Sequence, residues 1–212
     1  MDKLSIINRA LGMIGETPVT SPEAPNTKAG KHLVSIFDQC RREILRRYPW
    51  NFSETWAEID RTTAPPFYYS DAYALPASYL RLLWVGDIAN PIRDYRLLNQ
   101  GDPDFRRVIA MNNAGATKLK ISYSADVTVY PLWDPLAIKA FALWMAMDAA
   151  KNTTGQAELV GLLSKQLTEE LKDAVSVDAQ EQAIREHTWS NVRDARTQAQ
   201  FGLGFTNVEG YN

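Results

Sequence analysis

The 212-residue sequence has one cysteine and two histidines, too few for several kinds of site. A single thiol, Cys40, excludes an intramolecular disulfide and a multi-cysteine zinc site. His32 and His187 have no metal-like partner at helical spacing, so we expect no metal and no cofactor. We interpret Cys40 as a small buried apolar residue and both histidines as residues of polar helix surfaces.

The usual catalytic and nucleotide-binding signatures are missing as well. The sequence contains no G-x-x-x-x-G-K-[ST], G-x-G-x-x-G, H-E-x-x-H or G-x-S-x-G. Asp102 and Asp104 in "GDPDF" are candidates for acid-base chemistry or for a cation, but a Gly-Asp-Pro cluster between strands is typical of a turn. A pair of carboxylates brought together by folding stays open as a catalytic site.

No apolar run is long enough to cross a bilayer. The most apolar stretch, residues 136–150, contains Lys139 and Asp148 and is shorter than the roughly 20 residues that a membrane-spanning helix needs. The first ten residues lack the pattern of a secretory signal. Because the chain has only one cysteine, we expect the reducing cytoplasm as its compartment. Lys and Arg total 23 against 25 Asp and Glu, which argues against a protein that coats nucleic acid by neutralising phosphates.

Two helices are predicted before residue 50. Apolar residues at spacings of three and four indicate a short amphipathic helix with Asp2 as its cap and Gly15 as its stop. A proline-rich loop follows and ends at a cap at Asn26 or Thr27. The second helix buries one face and ends before Pro49; the buried face consists of Leu33, Ile36, Phe37, Cys40, Ile44 and Tyr48.

Two longer helices are predicted in the second half of the chain. Asp134 is a good cap and Pro135 suits the first position of a helix that is apolar on almost every side, which we expect to be central and buried. After a short turn the last long helix begins, and its expected core stripe is Leu159, Leu162, Leu163, Leu167, Leu171 and Val175.

Residues 53–130 are typical of a β region. Prolines divide this stretch into short pieces, and "KLKISYSADVTVY", residues 118–130, alternates apolar and polar residues with a possible turn near Ser124 and Ala125. "YLRLLWVG" is a second strand candidate, although a helical start at Ser78 stays open, and "NPIRDYRLLNQ" is a third. Short turns between such strands favour a small antiparallel sheet.

Four arginines lie within residues 41–47, in "RREILRRYPWNF". Arg42 and Arg46 fall opposite the apolar face of the second helix, while Arg41 and Arg47 flank it. Asp38 precedes Arg42 by four positions, and Glu43 precedes Arg47 by four, the order of acid and base that stabilises a helix surface. This pattern favours a solvated or subunit-facing helix surface over a nucleic-acid site.

Beyond residue 177 the apolar stripe becomes sparse, although helix-forming residues continue. Aromatic residues persist there, as Trp189, Phe201, Phe205 and Tyr211 among polar residues and glycines. Two interpretations stay open, a disordered terminus and a segment that becomes ordered on binding a partner. Six tryptophans, an alanine-rich helix and this polar extension suit a protein whose role is assembly.

Four segments taken together resemble a known family. "ALGMIGETPVTSP" (10–22), "CRREILRRYPWNF" (40–52), "YALPASYLRLLWV" (73–85) and "ISYSADVTVYPLWDPLAIKAFALWMAMDAA" (121–150) resemble the head-to-tail adaptor proteins of short-tailed bacteriophages, also called tail tubular protein A or gatekeeper. The segments occur in the family's order and span most of the first 170 residues. Beyond residue 173 the resemblance is diffuse.

The resemblance implies an α+β fold, an antiparallel helix bundle with an inserted small antiparallel β region and a C-terminal extension. Residues 1–52 and 131–189 would form one discontinuous helical domain, residues 53–130 the β-rich insertion and residues 190–212 an extended tail. It further implies a ring of about twelve identical subunits, with head-to-tail contacts between copies.

The implied function is structural and not enzymatic. The ring would lie between the portal and the tail nozzle in the virion, after assembly in the host cytoplasm, and DNA would pass through its lumen without sequence-specific binding. As hypotheses, Arg42 and Arg46 contact acidic groups of a neighbouring subunit or the portal, and Trp189, Phe201, Phe205 and Tyr211 dock onto the portal.

Two other classes of function stay open at this stage. One is a small virion-borne hydrolase acting on the cell wall, for which Glu58, Asp102 and Asp104 are the carboxylate candidates. The other is a soluble binding module that works as a monomer. No membrane partner is expected for any of the three.

Overall fold

A computed structural model of the protein describes residues 1–62, 68–87, 91–101, 106–112, 116–153 and 157–181. The helices of this part are α1 (Lys3–Met13), α2 (Lys28–Arg47), α3 (Pro135–Thr153) and α4 (Ala157–Gln180). Its strands are β1 (Glu54–Asp60), β2 (Asp71–Ala74), β3 (Tyr79–Val85), β4 (Arg96–Gln100), β5 (Arg106–Met111) and β6 (Lys118–Ala125). Short 3₁₀ turns lie at Asn51–Ser53 and Tyr130–Leu132.

The predicted helix ends are confirmed. Asp2, Thr27 and Asp134 each accept a hydrogen bond from a backbone N–H two or three positions ahead, at 2.8, 2.9 and 2.7 Å. These bonds satisfy N–H groups that a helix leaves without an internal partner. After α1 the chain turns at Gly15, whose φ of 75° is easily reached only without a side chain.

The predicted fold class is wrong in the size and organisation of its β part. The described strands form two three-stranded antiparallel sheets with orders β1-β6-β3 and β2-β5-β4, so the protein is a mixed α+β fold and not a helix bundle with a small β insertion. The first and last strands pair with each other, from Glu54 opposite Ser124 to Asp60 opposite Lys118. A sequence pattern does not reveal such non-local pairing, because it carries only the local period.

The positions of individual strands were predicted more accurately than their arrangement into sheets. β3 and β4 lie where strands were expected, within "YLRLLWVG" and "NPIRDYRLLNQ". β6 keeps its alternation only at its start and ends at Ala125, not at Val129. From Ile121 onward every residue of β6 is buried, because the strand is central and is covered on both faces.

Two hydrophobic clusters hold the described residues together. The larger joins α1, α2, α3 and α4 with Trp50 and Trp133, and the expected burial of α3 is confirmed by ten buried residues along it. The smaller lies between the two sheets and includes Tyr73, Ile109 and Ile121, all 0% exposed. The odd-numbered residues of β6 face this second cluster, so the opposite face of β6 is turned towards other elements.

Helix α4 buries a narrower stripe than expected. Leu163, Leu167 and Leu171 are buried, but Leu162 is 54% exposed, so its assignment to the core is wrong. Towards the end of the helix the buried carboxylate of Asp178 accepts a bond from the backbone N–H of Asn51 at 3.1 Å. A polar contact therefore attaches this end of α4 to the segment that follows α2.

By its contacts the chain divides into the compact units Met1–Ala179 and Gln180–Asn212. Of the second unit only residues 180 and 181 are described. The division into 1–52 with 131–189, 53–130 and 190–212 stays a prediction, and the segment 190–212 lies outside the described residues.

Candidate functional site

The arginines of residues 41–47 lie at the junction between α2 and the β region. Arg41 is only 5% exposed, whereas Arg42 is 63% exposed. Both side chains are directed to Asp126, the first residue after β6. The predicted pair of Asp38 with Arg42 does not form, because Asp38 pairs with Arg41 and Arg42 pairs with Asp126. Arg47 lies over the ring of Trp144 and forms no ion pair with Glu43.

The Asp126 carboxylate accepts three bonds from the two guanidinium groups. Arg41 donates from Nε to Oδ1 at 2.8 Å and from a terminal nitrogen to Oδ2 at 3.0 Å, and Arg42 donates from Nε to Oδ2 at 2.9 Å. Arg41 also donates to Asp38, one turn earlier on α2. A bidentate contact of this kind fixes both distance and orientation, so it sets how α2 meets the end of β6.

The electrostatics of the junction follow from these bonds. Burial disfavours the charged form of Asp126, but the hydrogen bonds from Arg41 and Arg42 outweigh it and hold the pKa of this carboxyl below its ordinary value. Burial also opposes the charge of Arg41, yet its bonds to Asp126 and Tyr130 raise the pKa of the guanidinium above its ordinary value. The pair is therefore charged at neutral pH.

The last turn of α2 is bonded to strand β3 through backbone carbonyls. Arg46 donates to the carbonyl of Leu80, and Arg81 donates to the carbonyl of Arg47 at 3.2 Å. The guanidinium of Arg47 lies 5.2 Å from the ring centre of Trp144 on α3, a distance typical of a cation–π contact. Thus Arg42 and Arg46 both have bonds within the chain.

A series of packed aromatic rings connects the junction to the hydrophobic core. Phe52 stacks on Trp133 with ring centres 5.1 Å apart, and Trp133 lies 5.5 Å from Phe141 on α3. Phe37 of α2 meets Phe141 edge-on at 5.2 Å, and Trp50 stacks on Phe52 at 5.8 Å. Trp50, the residue after Pro49, is buried with 1% of its surface exposed.

Beside this junction the chain exposes apolar side chains. Val129 is 54% exposed and Leu132 is 63% exposed, on the short segment between β6 and α3. Trp133, the next residue, is 4% exposed. This segment therefore combines a buried anchor with an apolar outer surface.

Of the residues predicted to contact a neighbouring subunit or the portal, the structure describes only the two arginines. Arg42 and Arg46 are both exposed at the junction, and nothing shows that they contact another molecule. The predicted docking residues Trp189, Phe201, Phe205 and Tyr211 lie outside the described residues, as do Asp102, Asp104 and His187. The subunit or portal contacts proposed for Arg42, Arg46 and the four aromatic residues stay predictions.

Cys40 and His32 lie in surroundings that point to structural roles. Cys40 is buried, as expected, and burial raises the pKa of its thiol to about 12, which keeps it protonated. His32 is not simply on a polar surface, because its Nε2 lies 2.8 Å from a carboxylate oxygen of Asp148 and 3.1 Å from the side-chain nitrogen of Asn152. These contacts join α2 to α3.

Over the described ranges, no group of three or more His, Cys, Asp or Glu side chains is arranged to hold a metal ion. None of the helices in that part of the chain has the length and hydrophobicity to span a bilayer.

Sequence reasoning missed the residue at the centre of the junction. Asp126 was interpreted as one polar position of an alternating strand, whereas it is the acceptor for two arginines 84 and 85 positions away. The signal that points to it is the charge imbalance of residues 41–47, since four arginines against one glutamate require acidic partners from elsewhere.

Comparisons of the sequence with models of known protein families and with curated proteins find no match.

Proposed function

We propose that the protein is a structural component of a virion, the head-to-tail adaptor of a short-tailed bacteriophage. Identical copies form a ring between the portal and the tail nozzle, and the genome passes through the ring. The chain performs no catalysis in this role, and its partners are further copies of itself, the portal and the nozzle.

The observation that carries the proposal is that helix α2 connects the four segments of the family resemblance. Residues 40–52 and 121–150 are joined by Asp126 and by the stacking of Phe52 on Trp133. Residues 73–85 join them through the carbonyl of Leu80. Residues 10–22 pack against the start of α2, where Val19 closely approaches Gly30. Accidental matches have no reason to converge on one helix, so this convergence supports a common architecture.

The exposed surface offers further support. A ring with head-to-tail contacts needs two different surfaces on each subunit that complement each other. Val129 and Leu132 expose apolar side chains beside the junction, and Leu162 does so on α4. The chain therefore carries apolar surface on separate elements, as such a ring requires.

The proposal is tested by deleting the gene for this chain from the phage that encodes it. An adaptor connects two completed parts, so without it DNA-filled heads and free nozzles should accumulate unjoined in the infected cell, as seen by electron microscopy. Tailed particles that contain DNA but penetrate cells poorly would contradict the proposal and favour a virion-borne hydrolase. Supplying the protein from a plasmid should restore joined particles.

A further inference from the structure

The exposed face of α2 presents two guanidinium groups that keep unused hydrogen-bond donors. Arg42 donates from Nε to Asp126, and Arg46 donates from one terminal nitrogen to the carbonyl of Leu80. A guanidinium group carries five N–H donors, so most donors of both side chains have no partner among the described residues. The acceptor of Arg42 is also shared with Arg41, and Arg46 forms no ion pair in the described part of the chain. This face of the helix therefore carries positive charge that the described residues do not fully neutralise.

Strand β1 presents two carboxylates on one of its faces. Glu58 and Asp60 are exposed, while the residue between them is buried, so their side chains lie on the same face of the strand. Lys120 lies opposite Glu58 on β6, but its ammonium group bonds to Asp87 at 3.0 Å. Lys118 lies opposite Asp60, and neither carboxylate forms an ion pair among the described residues. Both carboxylates are therefore accessible to a cation from another molecule.

A groove of about 480 Å³ lies beside these carboxylates, and both of them line it. Of the two arginines in its lining, Arg61 is paired with the buried carboxylate of Asp71 at 2.6 Å, which leaves Arg106 against the two carboxylates. Thr62 also lines the groove and is only 9% exposed, and its hydroxyl has no hydrogen-bond partner in the described part of the chain. A buried hydroxyl without a partner is costly, so an N–H donor that reaches it from the groove is stabilised. The groove thus favours a guanidinium group over an anion.

The basic pair on α2 and the acidic pair on β1 have matching spacings. Arg42 and Arg46 are four positions apart on a helix, which is about 6 Å along its axis. Glu58 and Asp60 are two positions apart on a strand, which is about 7 Å. Two guanidinium groups can therefore meet two carboxylates at the same time. Two simultaneous contacts set the orientation of the partners as well as their distance.

We propose that Arg42 and Arg46 of one subunit bind Glu58 and Asp60 of a second copy of the chain. This inference rests on the proposed ring, and it assigns the acidic partner of the arginines to the neighbouring subunit and not to the portal. Contact between two α2 faces, or between two β1 faces, would place like charges together, which costs free energy, so the charges select two different surfaces. A contact between two different surfaces is head-to-tail, the type that closes a ring by rotation.

Mixing two variants tests the contact most directly. The first variant carries Arg42→Glu with Arg46→Glu, and the second carries Glu58→Arg with Asp60→Arg. Either variant alone places like charges at every contact, so the protein concentration needed for assembly, measured by sedimentation with and without the portal, should rise by about tenfold or more. In an equimolar mixture the two variants can alternate around an even-numbered ring, and every contact then joins arginines to carboxylates. Assembly of the mixture should therefore return towards the wild-type level.

Two controls accompany the mixture. A chain that carries all four substitutions has both surfaces reversed, so it should assemble whatever the copy number. Glu169→Arg with Asp173→Arg makes the same change in charge at two exposed carboxylates of α4 and should leave assembly close to the wild-type level.

Neutral variants keep the test independent of whether the reversed variants fold, as judged by circular dichroism and the unfolding midpoint. Arg42→Gln with Arg46→Gln, and Glu58→Gln with Asp60→Asn, should each weaken assembly and reduce its dependence on salt. The inference would be overturned, with the proposed ring left standing, by folded reversed variants that assemble normally, by a mixture and a fourfold variant that both fail, or by neutral pairs that keep the salt dependence of the wild type. A wild-type protein that never assembles would overturn both.

Discussion

The carboxylate of Asp126 accepts a hydrogen bond from Nε of Arg41 at 2.8 Å, across 85 positions of the sequence. The contact joins the middle of α2 to the end of the central strand β6. Arg41 is 5% exposed and Asp126 14% exposed, so water competes weakly for either group. Helices and sheets are therefore connected by a charged contact as well as by the hydrophobic clusters.

Asp126→Asn should lower the free energy of unfolding by about 3 kcal/mol, because it leaves the buried guanidinium of Arg41 without its main acceptor. Asp87→Asn is the matched control, since it removes the carboxylate from the pair with Lys120, in which both side chains are more than half exposed. That change should cost less than about 1 kcal/mol. Urea unfolding of the two variants measures the difference, and equal losses would contradict the role given to Asp126.

The contribution of Asp126 should also depend on pH. Its pKa is lower in the folded protein than the ordinary value of 3.8 in the unfolded chain, so between these values the unfolded state binds more protons. The stability advantage of the wild type over Asp126→Asn is thus complete above pH 3.8 and is lost as the pH falls through the folded pKa. Unfolding curves of both proteins at neutral and acidic pH check this. An advantage that grows towards low pH would be inconsistent with the lowered pKa.

The features predictable from the sequence were those set by neighbouring residues. The caps at Asp2, Thr27 and Asp134 were found because a capping residue acts within three positions of itself. The end of α2 before Pro49 followed from the restriction that a proline places on the residue before it. Each of these depends on a short stretch of chain, which a sequence pattern describes completely.

The features that escaped prediction depend on distant residues. Arg41 was placed beside the apolar stripe of α2, but the helical wheel cannot show that Asp126 lies there to receive it. Leu162 fits the apolar period of α4 equally well inside or outside the core, and the neighbouring elements leave it exposed. The pairing of β1 with β6 brings together the two ends of the β region, so no local signal distinguishes it from pairing with a nearer strand.

Reversing the charge of Arg42 and Arg46 together, to glutamate, should abolish assembly on the portal if these residues contact acidic groups of a neighbour. Lys28→Glu with Lys31→Glu is the matched control, since it makes the same change in charge at the exposed start of the same helix. Electron microscopy of portal mixtures measures ring formation.

Both arginines also bond within the chain, so reversing their charge could destabilise the subunit itself. A second pair of variants that only removes the charge is therefore needed. Arg42→Gln with Arg46→Gln removes the charge without placing a carboxylate near Asp126. We expect the glutamine pair to weaken assembly while the unfolding midpoint stays close to that of the wild type. Normal rings from folded glutamine and glutamate variants alike would refute the contact.

Deletion of residues 190–212 should abolish binding to the portal and leave the folded core intact. Phe201, Phe205 and Tyr211 lie in this segment, whereas the core residues of both hydrophobic clusters lie before residue 175. The measurement is a pull-down with the portal, accompanied by the thermal midpoint of the truncated chain. Binding retained by the truncated protein would refute a docking role for the segment.

The central claim is that this chain acts as one subunit of a ring. Its most direct test is the native mass of the purified protein, alone and mixed with its portal, at physiological salt. The account predicts a discrete assembly of about twelve copies, at least when the portal is present. A strict monomer in both samples would contradict it and return attention to the carboxylates of the β region.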